Sequence, residues 1–306
     1  MRSGFRESVH HGSVVVLDTD GAVLHAVGEV AAPMFPRSSN KPLQAMAMLL
    51  AGLDLAGDAE LALVCASHNG EPAHADGVAR ILAGCGLTED DLRCPPALPL
   101  HEPSARRVPE PRRLLMNCSG KHAGMLATCV ARGWPTGSYV DPAHPLQRSI
   151  ASTLSDVAGE PLAATGVDGC GAPLFALSLT ALARAFSLLP GAAAGTPGRR
   201  VADAMRANPF MVAGTGREDT RLMTAVPGLV CKAGAEGVHA AALADGRAVA
   251  LKIDDGCSRA RLPIMVGALR ALGVAAPGLA ELAEEPVLGG GRVVGVTRLI
   301  GGVLPA

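Results

Sequence analysis

The chain has 306 residues, of which 27 are basic, 28 are acidic and 49% are apolar. This charge balance excludes the basic surface that nucleic-acid binding requires, while the apolar content allows a sizeable buried core. No run reaches the roughly 18 uncharged apolar residues of a membrane span. The N-terminal residues hold no apolar stretch followed by a small-residue cleavage site, so we expect a cytoplasmic protein whose eight cysteines are mostly reduced.

The first predicted element is a hairpin over residues 13–30, in which SVVVLD and AVLHAVG flank the turn Thr19-Asp20-Gly21. RSSNKP (37–42) then opens a helix that we expect to run to about Leu53. LALVCAS (61–67) is a short apolar run that fits either a buried strand or a helix. Residues 94–113 hold six prolines and four arginines, which indicates an ordered loop.

The middle of the chain predicts helices, and its last quarter predicts strands. The helical segments are EPAHADGVARILAGCG, KHAGMLATCVARG, LQRSIASTLSDVAG, LFALSLTALARAFSLL and GRRVADAMRANP. From Gly228, GLVCKAGAEGVHAAALADGRAVALKIDD predicts three short strands, LPIMVGALRALG a helix and GRVVGVTRLI a closing strand. We therefore expect an α+β fold in one catalytic domain, 1–306. Its sheet lobe would comprise residues 1–65 and 228–306, and its inserted helical lobe residues 66–227.

Three short motifs follow one another in an order that has chemical meaning. They are Ser38-x-x-Lys41, Ser67-His68-Asn69 and Lys232-Ala233-Gly234. S-x-x-K, S-x-N and K-x-G follow in this order in serine β-lactamases and penicillin-binding proteins. Alanine replaces the usual threonine of the third motif, and the first two motifs are closer together than in those enzymes. Taken alone, S-x-x-K is more simply explained by a serine that caps a helix.

These residue types suit acyl transfer through a seryl intermediate. A serine hydroxyl is a poor nucleophile until a neighbour takes its proton, and lysine can do this only when neutral. The free lysine pKa is about 10.4, and burial or a second cation lowers it. Lys41 and Lys232 beside Ser38 and Ser67 would provide both conditions. The helix that begins near Ser38 would also offer free N–H groups to an oxyanion.

Two cysteines lie among glycines and polar residues, in NCSGKH (117–122) and GVDGCG (166–171). One interpretation is a metal site in which Cys118 and Cys170 are thiolates and Lys121, with Asp168 or water, completes the shell. Deprotonating a lysine at pH 7 costs roughly 4.6 kcal/mol, which is less than the roughly 10–16 kcal/mol that a structural zinc ion supplies. Inert thiols, or a charged Lys121 paired with a thiolate or with Asp168, are the alternatives.

Six stretches together resemble the rhizobial-type L-asparaginases of the asparaginase II family: RSSNKP, CASHNGE, NCSGKHAGM, GVDGCGAP, GTGRED and CKAGAEGV. The resemblance implies a serine β-lactamase-like fold with an antiparallel sheet, a homodimer, and hydrolysis of L-asparagine to aspartate and ammonia. It implies that Ser38 is the nucleophile with Lys41, and that Ser67 and Lys232 form a second Ser–Lys pair.

The same resemblance implies one zinc ion per chain beside the active site. Its ligands would be Cys118, Lys121 and Cys170, with Asp168 and His122 close by. We expect this ion to serve substrate binding rather than the chemical step.

A zwitterionic substrate needs a cation for its carboxylate and an acceptor for its ammonium group. Arg37 or Arg217 could supply the cation, since arginine binds carboxylates through two parallel hydrogen bonds, and Asp168 could receive the ammonium group. His122 is also expected among the substrate-binding residues. Arg37 could instead pair with a surface acid. Glu218 and Asp219 are expected to be solvated turn residues.

Two other functions stay open at this stage. One is a β-lactamase or penicillin-binding-like serine hydrolase, although that class acts outside the cytoplasm. The other is a non-catalytic, zinc-dependent sensor of amino acids.

Overall fold

A computed structural model describes residues 1–305, in which ten strands and eleven α-helices are found. The strands are β1 (Gly12–Leu17), β2 (Val23–Val27), β3 (Pro33–Met34), β4 (Ala164–Val167), β5 (Pro173–Ser178), β6 (Val230–Ala233), β7 (Val238–Ala242), β8 (Ala248–Ile253), β9 (Glu284–Gly289) and β10 (Arg292–Arg298). The helices are α1 (Lys41–Leu50), α2 (Asp58–Val64), α3 (Pro72–Gly84), α4 (Glu102–Ala105), α5 (Ser119–Arg132), α6 (Pro145–Ala158), α7 (Leu179–Gly191), α8 (Pro197–Ala207), α9 (Pro209–Val212), α10 (Glu218–Ala225) and α11 (Arg261–Ala271).

The main sheet joins the two ends of the chain. Its five strands follow the order β2-β1-β8-β7-β6, and every neighbouring pair is antiparallel. β1 lies between its hairpin partner β2 and the late strand β8, with Val14 opposite Val27 on one side and Leu251 on the other. The predicted α+β class, with an antiparallel sheet from the N- and C-terminal segments and helices inserted between them, is confirmed.

Both faces of this sheet are covered. α7 and α11 pack on it, and every residue of β7 is buried. A strand whose neighbouring residues point to opposite faces can be buried throughout only when both faces are covered. The small side chains of VHAAA allow this close packing, and they place His239 in the interior.

Two predicted elements differ from the structure. The segment LFALSLTALARAFSLL is not one helix, because Pro173–Ser178 form β5 and only the following residues form α7. Ser178 separates them: its hydroxyl accepts a hydrogen bond from the Ala181 amide and caps the helix. The predicted closing strand GRVVGVTRLI forms β10, but it pairs with β9 alone and does not join the main sheet.

The helices gather around α1, which contacts α5, α6 and α8. Nine of its residues are buried, including Lys41 in the first turn. The apolar run LALVCAS forms the end of α2 and the turn that follows it. α5 approaches α2 closely because Gly124 faces Val64, where an added Cβ would lie 2.7 Å from a Val64 methyl carbon. This packing brings the starts of α1 and α5 and the end of α2 to one place.

Two further features complete the fold. A small sheet, β3-β5-β4, lies among the helices, so residues 66–227 also contain strands. No helix within residues 1–305 combines the length and the apolar character that crossing a bilayer requires.

Candidate active site

The Lys41 amine is the centre of the site, and its side chain is only 1% exposed. Nζ donates hydrogen bonds to the Ala66 carbonyl at 2.5 Å, to Ser67 Oγ at 3.0 Å and to Cys118 Sγ at 3.2 Å. No carboxylate is among these partners. Burial lowers the pKa of Lys41, and the nearby Lys121 and Lys232 cations act in the same direction, while a Cys118 thiolate would oppose them.

The hydrogen bonds do not follow the predicted pairing of Ser38 with Lys41 and Ser67 with Lys232. Lys41 bonds instead to Ser67, which is buried. Ser38 is half-buried in the short 3-10 turn Arg37–Asn40 immediately before α1, and its hydroxyl has no hydrogen bond within residues 1–305. The spacing of three residues predicted that Ser38 and Lys41 share one face of the helix. The long lysine side chain instead extends to the residues that follow α2.

The Ser38 turn has a tightly constrained backbone. Arg37 has a φ of 52°, a left-handed conformation that costs a non-glycine residue about 1–2 kcal/mol. An added Cβ at Gly234 would lie 2.6 Å from the Pro36 carbonyl oxygen, so the glycine of K-A-G allows β6 to approach this turn. Two of the N–H groups that we expected to be free for an oxyanion are already bonded: Ser39 N–H to Pro36 O, and Lys41 N–H to Ser38 O.

Lys232 occupies a different environment, because its partner is a buried carboxylate. Its Nζ donates to Asp219 Oδ2 at 2.8 Å and to the Ala233 carbonyl at 2.7 Å. No hydrogen bond joins Lys232 to Ser67 among the residues that the structure describes. Burial favours a raised pKa for Asp219, but Lys232 and His239 outweigh it and hold that pKa well below its usual range.

The prediction that Asp219 is a solvated turn residue is therefore wrong. Asp219 is 3% exposed and also accepts the Ala233 N–H at 2.8 Å. A signal for it existed in the sequence: Lys232 lies in the apolar strand GLVCKAG, and a buried lysine needs a counter-charge. The acids of the GTGRED stretch precede that strand by about a dozen residues.

Asp219, Cys231 and His239 form a buried group that could hold a metal ion, because one ligand atom of each lies within 4.8 Å of the others. His239 Nε2 is 3.0 Å from Asp219 Oδ1 but without the geometry of a regular hydrogen bond. Lys232 already takes the second oxygen of the carboxylate. A cation at this group would therefore lie beside an ammonium group.

A second buried cluster contains the predicted zinc ligands. Lys121 Nζ donates to Cys170 Sγ at 3.0 Å, whereas Cys118 Sγ accepts from Lys41 Nζ and donates to Asn117 Oδ1, each at 3.2 Å. The neighbouring Cys118 and Lys121 lower the pKa of Cys170, against burial. Burial would lower the pKa of Lys121, but the two sulfur atoms outweigh it and raise that pKa. This arrangement corresponds to the alternative of a charged Lys121 paired with a thiolate.

His122 stands beside this cluster with one nitrogen free. Nδ1 is hydrogen-bonded to the Tyr139 hydroxyl at 2.7 Å, whereas the buried Nε2 has no hydrogen-bond partner within residues 1–305. Burial lowers the pKa of His122 despite the neighbouring Cys170, which favours the neutral imidazole. His122 Nε2 is thus a buried, unbonded nitrogen near the Cys170 thiol, and zinc prefers nitrogen and sulfur ligands. Its ligand atom and those of Cys118 and Cys170 do not lie within 4.8 Å of one another, as the atoms of Asp219, Cys231 and His239 do.

The predicted substrate-binding residues lie around the same centre. Arg37 Nε donates to Asp168 Oδ1 at 2.8 Å, so these two residues bind each other. The other oxygen of Asp168 lies 3.9 Å from Cys170 Sγ. Arg217 donates to Asn69 Oδ1 at 3.0 Å, and Asn69 is the last residue of S-x-N. Hydrogen bonds thus join Lys41 to Ser67 and Cys118, while Lys232 belongs to the strand whose end, at Gly234, packs against the Ser38 turn.

Comparison with known proteins gave one family match. The model of the family described as L-asparaginase II matches residues 1–299. Among curated proteins, no relative matches the chain.

Two solved structures illustrate what the fold is similar to. Mglu in its native form is 13% identical with a TM-score of 0.44, over 89% of this chain and 62% of Mglu. A β-lactamase from Mycobacterium bovis is 14% identical with a TM-score of 0.37, over 81% of this chain and 88% of that one. The chain thus spans about three fifths of the length of Mglu.

Proposed function

Because the chain belongs to the L-asparaginase II family, we propose that it is an amidohydrolase that converts L-asparagine to L-aspartate and ammonia. The observation that carries the proposal is the buried Lys41 amine, which is hydrogen-bonded to Ser67 and lies three residues after the half-buried Ser38. Such an amine has no carboxylate to keep it charged, so it can accept a proton near neutral pH.

The first half of the reaction forms a seryl ester. Ser38 is the proposed nucleophile, since the residue is only half-buried and its hydroxyl has no hydrogen bond within residues 1–305. Its oxygen bonds to the side-chain amide carbon of asparagine, while its proton passes to the Lys41 amine. Ser67, bonded to Lys41, can relay this proton. The ammonium of Lys41 then protonates the leaving nitrogen, and ammonia departs as the C–N bond breaks.

The second half hydrolyses the ester. Neutral Lys41 takes a proton from water, the hydroxide oxygen bonds to the ester carbon, and Ser38 leaves with the proton returned by Lys41. Water is consumed and aspartate released, so each residue returns to its starting state. Lys232 supplies a fixed positive charge close to this centre, which favours the neutral form of Lys41.

Substrate binding would use the two arginines differently. Arg37 is already paired with Asp168, whereas Arg217 is held by the neutral amide of Asn69 and keeps its charge available. We propose that Arg217 binds the substrate carboxylate. Asp168, the carboxylate nearest the thiol cluster, would receive the ammonium group. Arg37 then fixes Asp168 in place.

We also propose that Cys118, Lys121 and Cys170 hold one zinc ion, with His122 beside them. When bound, the ion would provide a positive charge that anchors the substrate. Lys121 must give up its proton to become a ligand, so zinc has to compete with protons for the thiol cluster. His122 Nε2 is the additional donor that the cluster leaves unbonded.

Ammonia release from asparagine, glutamine and a β-lactam under the same conditions tests the function. We expect turnover of asparagine and no hydrolysis of nitrocefin. Hydrolysis of nitrocefin alone would favour the β-lactamase alternative, and asparagine binding without turnover would favour a sensor. Glutamine differs by one methylene, which is worth only about 1–3 kcal/mol in a pocket, so slower glutamine hydrolysis is compatible with the proposal.

The homodimer and the cytoplasmic location that the sequence led us to expect stay predictions. Light scattering of the purified protein tests the first. Fractionation of cells that express the natural gene tests the second.

A further inference from the structure

Asp219 is hydrogen-bonded to two groups at the end of β6 and lies close to a third on β7. Its Oδ2 accepts from Lys232 Nζ at 2.8 Å, and its Oδ1 accepts from the Ala233 amide at 2.8 Å. The same oxygen lies 3.0 Å from His239 Nε2 on the neighbouring strand β7. One buried carboxylate from the first turn of α10 therefore fixes both a side chain and the backbone of the K-A-G motif.

Glu218, the residue before Asp219, is connected to the K-A-G motif through Arg261. Glu218 accepts from Arg261 Nη2 at 2.7 Å, and Arg261 in turn donates to the Gly234 carbonyl. Gly234 packs directly against the Pro36 carbonyl and the Ser39 amide, which belong to the turn that carries Ser38. A continuous set of contacts thus connects the start of α10, through Lys232–Gly234, to the turn that carries the proposed nucleophile.

We propose that Asp219 is a positioning residue, which fixes the Lys232 amine and the end of β6 against the Ser38 turn. This inference rests on the proposed function, because Lys232 matters for catalysis only if Ser38 and Lys41 perform the chemistry. Within residues 1–305 the side-chain contacts of Asp219 are with Lys232, Ala233, His239 and Cys231, and none is with Ser38, Lys41 or the predicted zinc ligands. Its effect is expected on turnover and not on substrate binding or on the metal content of the thiol cluster.

The test replaces Asp219 by asparagine in the full chain, which keeps the shape and removes the charge. We expect kcat to fall about 100-fold, as for a small misplacement of a catalytic group, with KM changed by less than about threefold. Asp203→Asn is the matched control, since Asp203 makes salt bridges with Arg199 and Arg206 on α8, away from the site. Its kcat should equal that of the wild type.

A double-mutant cycle with Lys232→Met distinguishes positioning from a general loss of structure. If Asp219 acts through Lys232, the double variant should have a kcat within about threefold of Lys232→Met alone. Multiplication of the two losses, or an Asp219→Asn variant with wild-type kcat, would overturn the proposal.

Measuring the Tm of the same four proteins tests the Asp219–Lys232 pairing without relying on enzyme activity. Each single variant leaves one buried charge unpaired and should lower Tm by roughly 5–10 °C. The double variant should lower it no further than either single change, and additive losses of Tm would refute the pairing. A wild-type protein that released no ammonia would refute the proposed function, and the Tm cycle would still decide whether Asp219 fixes Lys232.

Discussion

Two buried lysines near the proposed nucleophile have opposite surroundings. Lys41 bonds to a carbonyl, a hydroxyl and a thiol, and no carboxylate contacts it. Lys232 bonds to the carboxylate of Asp219, which is as deeply buried as the lysine itself. Each lysine belongs to a short motif, S-x-x-K for Lys41 and K-x-G for Lys232, and neither motif by itself predicts the partner of its lysine. The structure separates them into one amine whose three partners include no carboxylate and one amine that is paired with a buried carboxylate.

The comparison shows how a protein can use one residue type for two tasks. A buried charge is tolerated when a partner neutralises it, and without a partner the group is driven toward its neutral form. Asp219 therefore supplies the counter-charge that buried Lys232 needs. Lys41 has no such acid among its hydrogen-bond partners.

The largest expected effect concerns Ser38, the proposed nucleophile. Ser38→Ala should reduce ammonia release by at least about 10⁴-fold, because the proposed ester cannot form. Its Tm should stay close to that of the wild type, since the Ser38 hydroxyl makes no hydrogen bond to any of residues 1–305. Ser67→Ala is the comparison and should lose less activity. The reverse order of the two variants would identify Ser67 as the nucleophile.

Replacing each lysine by methionine separates the two environments directly. Lys41→Met should lose about 10²–10⁴-fold in kcat, the range for a proton-transfer group. Lys232→Met should lose about 100-fold, the loss expected when a fixed charge beside the reacting groups is misplaced. Lys232→Met leaves Asp219 buried and alone, which should cost about 3–5 kcal/mol in the free energy of unfolding. Lys41→Met leaves no charge unpaired but removes the donor to three buried groups, and it should cost about 1–3 kcal/mol. Urea unfolding measures both, and equal losses would contradict the distinction.

Metal analysis distinguishes the two buried clusters. Cys118→Ser should remove zinc from the purified protein, and it should raise KM by about tenfold or more with a smaller fall in kcat. Cys231→Ser, the matched change in the group beside Lys232, should leave the zinc content intact. Loss of metal only in the second variant would assign the ion to Asp219, Cys231 and His239.

The smallest expected effect is a pH dependence of stability. The pKa of Asp219 is lowered in the folded state, so its stabilisation is complete above the unfolded value and is lost as the pH falls below it. This single group should contribute about 1 kcal/mol of lost stability between pH 5 and pH 3. Urea unfolding of the double variant Asp219→Asn, Lys232→Met should show a correspondingly shallower decline. An unchanged slope would mean that Asp219 is not charged in the folded protein.

Much of the main sheet could be predicted because it depends on local patterns. The β1–β2 hairpin and the strands β6–β8 combine β-branched or small apolar runs with glycine-containing turns. The boundary between β5 and α7 within LFALSLTALARAFSLL could not be predicted, because the apolar residues of this segment suit a strand or a helix equally well. There the cap at Ser178 and the pairing of β5 with β3 and β4 decide between them.

By itself, the sequence determined the antiparallel sheet from both ends of the chain, the family, and the set of polar residues worth testing. Short motifs carry this information because spacing and turn chemistry are local properties. Only the tertiary structure decided which groups meet: Lys41 with Ser67, Lys232 with Asp219, and Arg37 with Asp168. Long side chains reach several ångströms from their own backbone, so their partners come from distant segments that packing brings together.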